Sequence, residues 1–398
     1  MSRRALIIGG SLGGLFAGNL LRSTGWDVIV FERAHGDLSG RGAGLGSREG
    51  LFSALRRIGI VLDDSIGIPV HSRIALDADG TAICEVPVRT VATAWDRIYR
   101  VLKQALPAEC YSGGMQLVSF QQDDDKVSAV FADGSRAEGD LLVGADGMRS
   151  TVRHQLLPGL EPSYAGYVAW RGAVTEDDVP AAFCECARDH MYFCFPEGEL
   201  ALSVPMAGTN GDAGTSRRRR QFSWFRPVDF AAGVPKLCTD ASGLCHGVSI
   251  PPPLIRRELI DELKAQAKTM LAPQIASLIA AVEQPILQPI FDLESPLLVV
   301  GRIVLLGDAA FVARPHVGTG VTKAALDAQC LTDAIRLAGD DLDAALERYD
   351  RERRGFGERL VARGRQLGAY LTAQHKPREQ RSGRELYRRP EIVMPEFG

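Results

Sequence analysis

Residues Ala5–Ile8 form an unbroken apolar run that stops at Gly9 and Gly10. Such a run bounded by glycine fits a strand buried on both faces. Leu15, Phe16, Leu20 and Leu21 then recur at helical spacing until Thr24 and Gly25, which supply a helix stop. A second apolar run, Val28–Phe31, ends at Glu32. The pattern predicts strand, turn, helix and strand in that order. Residues 74–92 alternate loosely and contain Pro87, which predicts strands outside this first unit. Helical spacing returns over 95–106, followed by strands around an Asp133-Gly134 turn. From 164 to 250 the texture is β-rich, with "YVAWRGAV", "HMYFCFPEGELALSV" and "QFSWFRPV". Residues 256–282 are helical. A buried strand, "RIVLLGDAA", and a long helix from Val321 follow.

No internal repeat or low-complexity segment interrupts this order. The reading is an α/β fold whose first domain is discontinuous, built from 1–70, 93–163 and 283–373. A β-rich domain of 71–92 and 164–282 is inserted into it. The tail 374–398 is polar, rich in arginine and broken by Pro377 and Pro390, so it reads as a surface arm, disordered or packed on a partner subunit.

Composition narrows the class. With 398 residues, 45% hydrophobic and 24% charged, and a formal net charge of -3, the chain reads as an ordinary globular protein without the basicity that nucleic acid demands. Arg217–Arg220 read as a solvated loop rather than a phosphate patch. No apolar stretch is long enough to span a membrane. Arg3 and Arg4 precede too few apolar residues for a signal peptide. Cys84, Cys110, Cys184, Cys186, Cys194, Cys238, Cys245 and Cys330 lack the paired spacing of a zinc site, and no metal is expected. The expectation is a cytoplasmic protein with reduced thiols.

Chemistry enters at Gly9-Gly-Ser-Leu-Gly-Gly14, a G-x-G-x-x-G dinucleotide fingerprint with Ser11 at its middle glycine. Gly9 makes the tight turn, and Gly14 lets helix and strand approach. The helix N-terminus at Ser11 and Leu12 offers N–H groups and a positive dipole end to a pyrophosphate. Glu32, about twenty residues on, stands where an acid holds ribose hydroxyls, with Arg33 beside it. Only one such fingerprint occurs, so the chain holds one Rossmann-like dinucleotide fold.

Two later motifs extend the picture. "LLVGADGMRSTVR" places Asp146-Gly147 at a strand end, and "VLLGDAAFVARPHVGTGVTKAALDA" places Asp308 after another strand, then Pro315, Gly318 and Gly320 before a helix. Three motifs in this order resemble the FAD-dependent aromatic hydroxylases related to para-hydroxybenzoate hydroxylase, and within them the 2,6-dihydroxypyridine 3-hydroxylase branch. The resemblance spans nearly the whole chain, including "LSGRGAGL", "TAWDRIYRVL" and "AWRGAV". It implies a Rossmann-like FAD-binding domain with an inserted substrate domain. FAD would be the cofactor, NADH or NADPH the transient reductant, and O2 and a small hydroxylated aromatic the substrates. A hydroxypyridine-type ring would react with a C4a-hydroperoxyflavin. A homodimer is expected.

The resemblance also assigns residues. Asp308 would take ribityl hydroxyls, and in the segment Pro315 to Val321 the backbone N–H groups of Val317, Gly318, Thr319, Gly320 and Val321 would face the flavin N1–C2=O edge, with Pro315 itself counted among the catalytic candidates. That edge becomes anionic on reduction, which a helix N-terminus stabilises. Asp146 would serve both FAD and the nicotinamide donor, or simply make an Asp-Gly turn. Arg41 would approach the cofactor phosphates, or stand as a solvated loop arginine. Leu117 would pass the adenine, or be an ordinary core leucine. Many family members contact FAD through an arginine where this chain has Trp95, with Arg97 two residues on.

For the substrate, His316 is a candidate base or relay, its alternative being a hydrogen bond that braces the loop. Strand alternation puts His190, Tyr192 and Cys194 on one face and Met191, Phe193 and Phe195 on the other. Tyr192 is the candidate polar contact, against plain sheet packing. Arg171 reads as a substrate or domain contact, or a structural ion pair. A phenol hydroxylase of the same family and a non-hydroxylating FAD-binding protein are the alternatives. A halogenase would need a W-x-W-x-x-P signature, and "WFRPV" supplies one tryptophan.

Overall fold

The computed structural model describes residues 3–39, 44–63, 66–179, 189–208, 218–386 and 390. Its first sheet has six strands: β1 (Arg4–Ile8), β2 (Asp27–Glu32), β6 (Tyr111–Gly113), β10 (Leu141–Gly144), β16 (Val299–Val300) and β17 (Ile303–Leu305), in the spatial order β16-β17-β10-β1-β2-β6. All neighbours are parallel except the β16 edge. Ile7 pairs with Val30 on one side and Val143 on the other. Both faces of β1 are covered, which is why its sequence is an apolar run rather than an alternation. Helices α1 (Leu12–Ser23), α7 (Gly320–Ala338) and α8 (Leu342–Leu367) supply the covering core. The fingerprint glycines are fixed by contact. A Cβ on Gly14 would lie 1.8 Å from the Gly9 carbonyl oxygen, and Gly9 itself has φ +108.

A second sheet of nine strands draws on scattered parts of the chain. In spatial order they are β18 (Phe311–Val312), β15 (Ile286–Glu294), β11 (Ser163–Thr175), β14 (Arg219–Pro227), β13 (Leu200–Met206), β12 (His190–Cys194), β4 (Ile68–Leu76), β5 (Ala82–Ala94) and β3 (Gly44–Ser47). Strands β3, β15 and β18 therefore leave the expected first-domain segments 1–70 and 283–373 to pair in the second sheet. These are short or mixed runs whose partners lie far away in sequence, so local pattern does not reveal their allegiance. A hairpin sheet of β7 (Leu117–Gln122), β8 (Val127–Phe131) and β9 (Arg136–Gly139) flanks the first sheet.

The second sheet has unlike faces. One packs Trp170, Tyr192, Trp224 and Cys194 against helices α5 (Arg257–Met270) and α6 (Pro273–Ala281). The other carries Ala169, Met191, Phe193, Leu200 and Phe225. Two expectations change here. Arg218 pairs with Asp189 at 3.0 Å, and Arg219 opens β14. Arg220 is fully buried, with Nη2 donating to the His190 carbonyl at 2.7 Å. The described part of the arginine run is thus a strand entrance tied across the sheet, because a buried guanidinium with enough acceptors satisfies itself. Arg217 lies outside the described residues. The tail folds back as far as residue 386: Gln374 accepts from Arg381 Nη1 at 2.9 Å, and Lys376 pairs with Glu385 at 2.7 Å.

Among the described residues, no helix is long and apolar enough to cross a membrane, no disulfide forms and no metal-holding cluster occurs.

Candidate active site

A cleft of about 890 Å³ opens along the C-terminal ends of the parallel strands, where an α/β sheet places its ligands. One end is formed by Glu32, Arg33 and Leu117, and the other by the turn Pro315, Val317 and Gly318 with Thr319, Gly320 and Val321. Gly9, Ser11, Leu12, Asp146 and Asp308 line the middle. Gly14 sits beneath, holding α1 against the Gly9 turn. Of the proposed arginines, Arg97 is not in this lining, and Trp95 is. Arg41 lies outside the described residues.

Glu32 is buried and already employed: Gly10 N donates to Oε2 at 2.8 Å and Ala34 N to Oε1 at 2.9 Å. It thereby fixes the glycine turn while facing the cleft. Asp146 accepts from Ser150 Oγ at 2.5 Å and from the Thr151 and Val152 amides at 2.7 and 3.2 Å. It caps the short helix α4 (Thr151–Leu156), and burial pushes its carboxyl above the ordinary aspartate range.

Lys323 and Arg153, which lie inside the motifs but carry no role that the sequence assigns, tie the site together. Lys323 is 1% exposed, with Nζ 3.0 Å from Asp308 Oδ1 and donating also to the Phe311 carbonyl. It stands one turn after Gly320 on the same helix face, a spacing that could have revealed it. Arg153 bridges two motifs, donating to the Ala309 carbonyl at 3.1 Å and the Met148 carbonyl at 2.6 Å.

The cleft fits a long dinucleotide by two observations. The Oγ1 of Thr319 is buried with no hydrogen-bond partner among the described residues, so it awaits one from the cleft. Helix α7 begins there without a side-chain cap, leaving its first N–H groups for a ligand.

A second cavity, about 1000 Å³, adjoins the cleft at Gly44, Gly46, Arg171, Pro315 and Gly318. His316 lines it, 1% exposed, with Nε2 2.8 Å from the Tyr167 hydroxyl. Its ring centroid lies 4.7 Å from that of Phe225. Arg171 reaches the cavity because Trp170 faces the helices and alternation sends its neighbour the other way. The same rule settles β12: Met191 and Phe193 line the cavity, and Tyr192 packs on the opposite face against the helix-covered core. Tyr192 is therefore not a substrate contact here.

These elements match known proteins. A family profile described as FAD binding domain-like covers residues 164–292. The chain is 30% identical over 370 residues to 2,6-dihydroxypyridine 3-monooxygenase of Paenarthrobacter nicotinovorans, covering 92% of this chain and 91% of that protein. It is 27% identical to 6-hydroxynicotinate 3-monooxygenase of Bordetella bronchiseptica, covering 88% and 87%. The solved structure of 2,6-dihydroxypyridine-3-hydroxylase from Arthrobacter nicotinovorans superposes with a TM-score of 0.87 at 29% identity, over 94% of this chain and 93% of that one. The fold and site define a flavoprotein oxidoreductase. More particularly, the chain belongs to the FAD-dependent aromatic hydroxylases that include 2,6-dihydroxypyridine 3-monooxygenase, and its cofactor is FAD.

Proposed function

We propose that this enzyme uses NADH or NADPH and O2 to hydroxylate a small hydroxylated heteroaromatic ring of the hydroxypyridine type. The observation that carries the reading is the junction of the two cavities at Arg171 and the Pro315–Gly318 turn. A ring in the second cavity there meets whatever lies along the cleft.

Bound FAD, once reduced, supplies the activation of O2. The chain's own residues do the rest. Thr319, Gly320 and Val321 would hold the cofactor's charged edge at the α7 N-terminus. Glu32 and Asp308 would receive its ribose and ribityl hydroxyls, with Lys323 fixing the Asp308 carboxylate. His316 takes the proton of the substrate hydroxyl, and Tyr167 orients the imidazole or passes the proton onward. Arg171 favours the oxyanion that results. Phe193, Phe225 and Met191 form apolar walls that keep water from the reacting centre. Pro315 holds the turn in place. The enzyme works as a cytoplasmic homodimer.

The test is a screen of hydroxypyridines, hydroxynicotinates and phenols for accelerated NAD(P)H oxidation, with product mass checked for one added oxygen. If no compound both accelerates oxidation and gains an oxygen, the reading fails.

A further inference from the structure

The floor of the second cavity is a patterned surface. Its positions pair across strands β11, β14, β13 and β12: Arg171 lies opposite Ser223, Ser223 opposite Leu202, and Leu202 opposite Phe193. A second row runs beside it from Gln221 to Val204, with Met191 beyond, two residues before Phe193 on β12. All of these side chains line the cavity. Both rows begin polar and turn apolar. Arg73, opposite Met191 on β4, marks where the apolar floor ends.

The polar end is the reacting end. Arg171 stands at the junction with the cofactor cleft, and the Gly44 amide, at the same junction, donates to Gln221 Oε1. Three strand spacings of about 4.8 Å carry the first row about 14 Å from Arg171 to Phe193. A single six-membered ring resting against Arg171 and His316 leaves most of that length uncovered. Leu202 and Val204 are only half-buried although β13 lies in mid-sheet, so apolar surface is left bare inside the cavity. Covering such surface is favourable for whatever ligand reaches it. The volume agrees. The cavity holds about 1000 Å³, where about 150 Å³ is enough for a benzene-sized ring.

Resting on the hydroxylase reading above, we propose that the substrate is amphipathic: a hydroxylated heteroaromatic ring bearing an uncharged apolar extension, either a fused second ring or an alkyl chain. The ring sits at the junction, and the extension lies over Leu202, Val204, Met191 and Phe193. The apolar wall thus does more than exclude water. It binds the part of the substrate that does not react, and in doing so fixes which ring edge faces the cleft. The inference goes beyond a bare dihydroxypyridine, the compound named for the 30%-identical relative.

The experiment titrates the FAD-loaded enzyme with a matched series, reading the perturbation of flavin absorbance rather than turnover. The series is 2-hydroxypyridine, 2-hydroxyquinoline and 6-pentyl-2-hydroxypyridine, so that one arm tests a fused ring and the other a chain. At least one extended compound is expected to bind roughly ten- to hundredfold tighter than the bare ring, the effect of burying four or five added carbons. Leu202→Trp, which fills the patch, should cut that preference to a few-fold. Val204→Thr keeps the shape of the side chain and wets the patch, and should lower the preference about threefold. Equal or tighter binding of the bare ring against both extended compounds overturns the proposal. So does an undiminished preference in both variants. Should Leu202→Trp fail to fold, the wild-type series and Val204→Thr decide. Oxygen insertion into bare rings with no gain from either extension would overturn the apolar subsite and leave the hydroxylase standing. A preference for the extended compounds, with no stimulated NAD(P)H oxidation by any ring, would do the reverse.

Discussion

His316 Nε2 and the Tyr167 hydroxyl, 2.8 Å apart, join the turn before α7 to strand β11 of the other sheet. Tyr167 is fully buried and lies against Arg314, whose Cζ is 5.6 Å from its ring centroid. Arg314 in turn grips Asp292 with Nη2 at 2.9 Å and Nε at 3.1 Å. The imidazole is thus held by a chain of fixed groups, which is what a proton-transfer residue needs.

His316→Asn should retain FAD and lower coupling, releasing more hydrogen peroxide per NAD(P)H consumed. A base or relay contributes about 10²–10⁴-fold to the step it serves. Tyr167→Phe should shift coupling the same way by less. Equal coupling and rate in His316→Asn would leave the histidine a brace for the turn, and loss of FAD would show the same more strongly.

Glu32→Ala removes the acceptor at the ribose end of the cleft and releases the Gly10 amide. FAD affinity should fall roughly ten- to hundredfold, the effect of one lost hydrogen bond to a charged group. Fluorescence titration of the apoprotein with FAD measures it. Unchanged affinity would mean that Glu32 only braces the turn.

Lys323→Met keeps an unbranched apolar stem one atom shorter and deletes the charge. The Phe311 carbonyl then loses a buried donor, and Asp308 loses its anchor. Stability should drop by about 1–3 kcal/mol, read by urea denaturation, with weaker FAD retention alongside. Wild-type stability in this variant would contradict the clamp.

Gly357 lies on α8 where a Cβ would come within 2.2 Å of the Phe311 ring. Gly357→Ala must displace the Phe311 ring, β18 or the helix, at a cost of about 1–3 kcal/mol. The same denaturation series checks it, and a neutral result would show that the ring has room to turn.

Motifs whose chemistry is local were legible in the sequence. The Gly9–Gly14 turn, Asp146, Asp308 and the Pro315–Val321 segment all reach the cleft, because each is a short stretch at a strand end or a helix start, where local sequence fixes the geometry. What needed three dimensions was the facing of strands. Alternation divided His190, Tyr192 and Cys194 from Met191 and Phe193, yet only the α5 and α6 packing says which set looks inward. Tyr167 escaped although it alternates with Arg171 in the same strand. Its role depends on a residue 149 positions away. Trp95 stands in the cleft lining and Arg97 does not, so the departure at that position was visible in the sequence, but not which of the two side chains faces the cleft.

The interleaving of the two sheets bears on how this protein can be cut or made. Strand β3 belongs to one sheet and β6 to the other, and the chain does not finish the larger sheet until β18 at Phe311–Val312. No single scission separates a cofactor-binding half from a substrate-binding half. A fragment ending before residue 303 lacks β17 and the α7 terminus, so it presents an incomplete cleft beside an unfinished nine-strand sheet. During synthesis, most of the chain must therefore leave the ribosome before either layer can close. Fusion partners belong at the chain ends, and independent expression of either layer should give insoluble material.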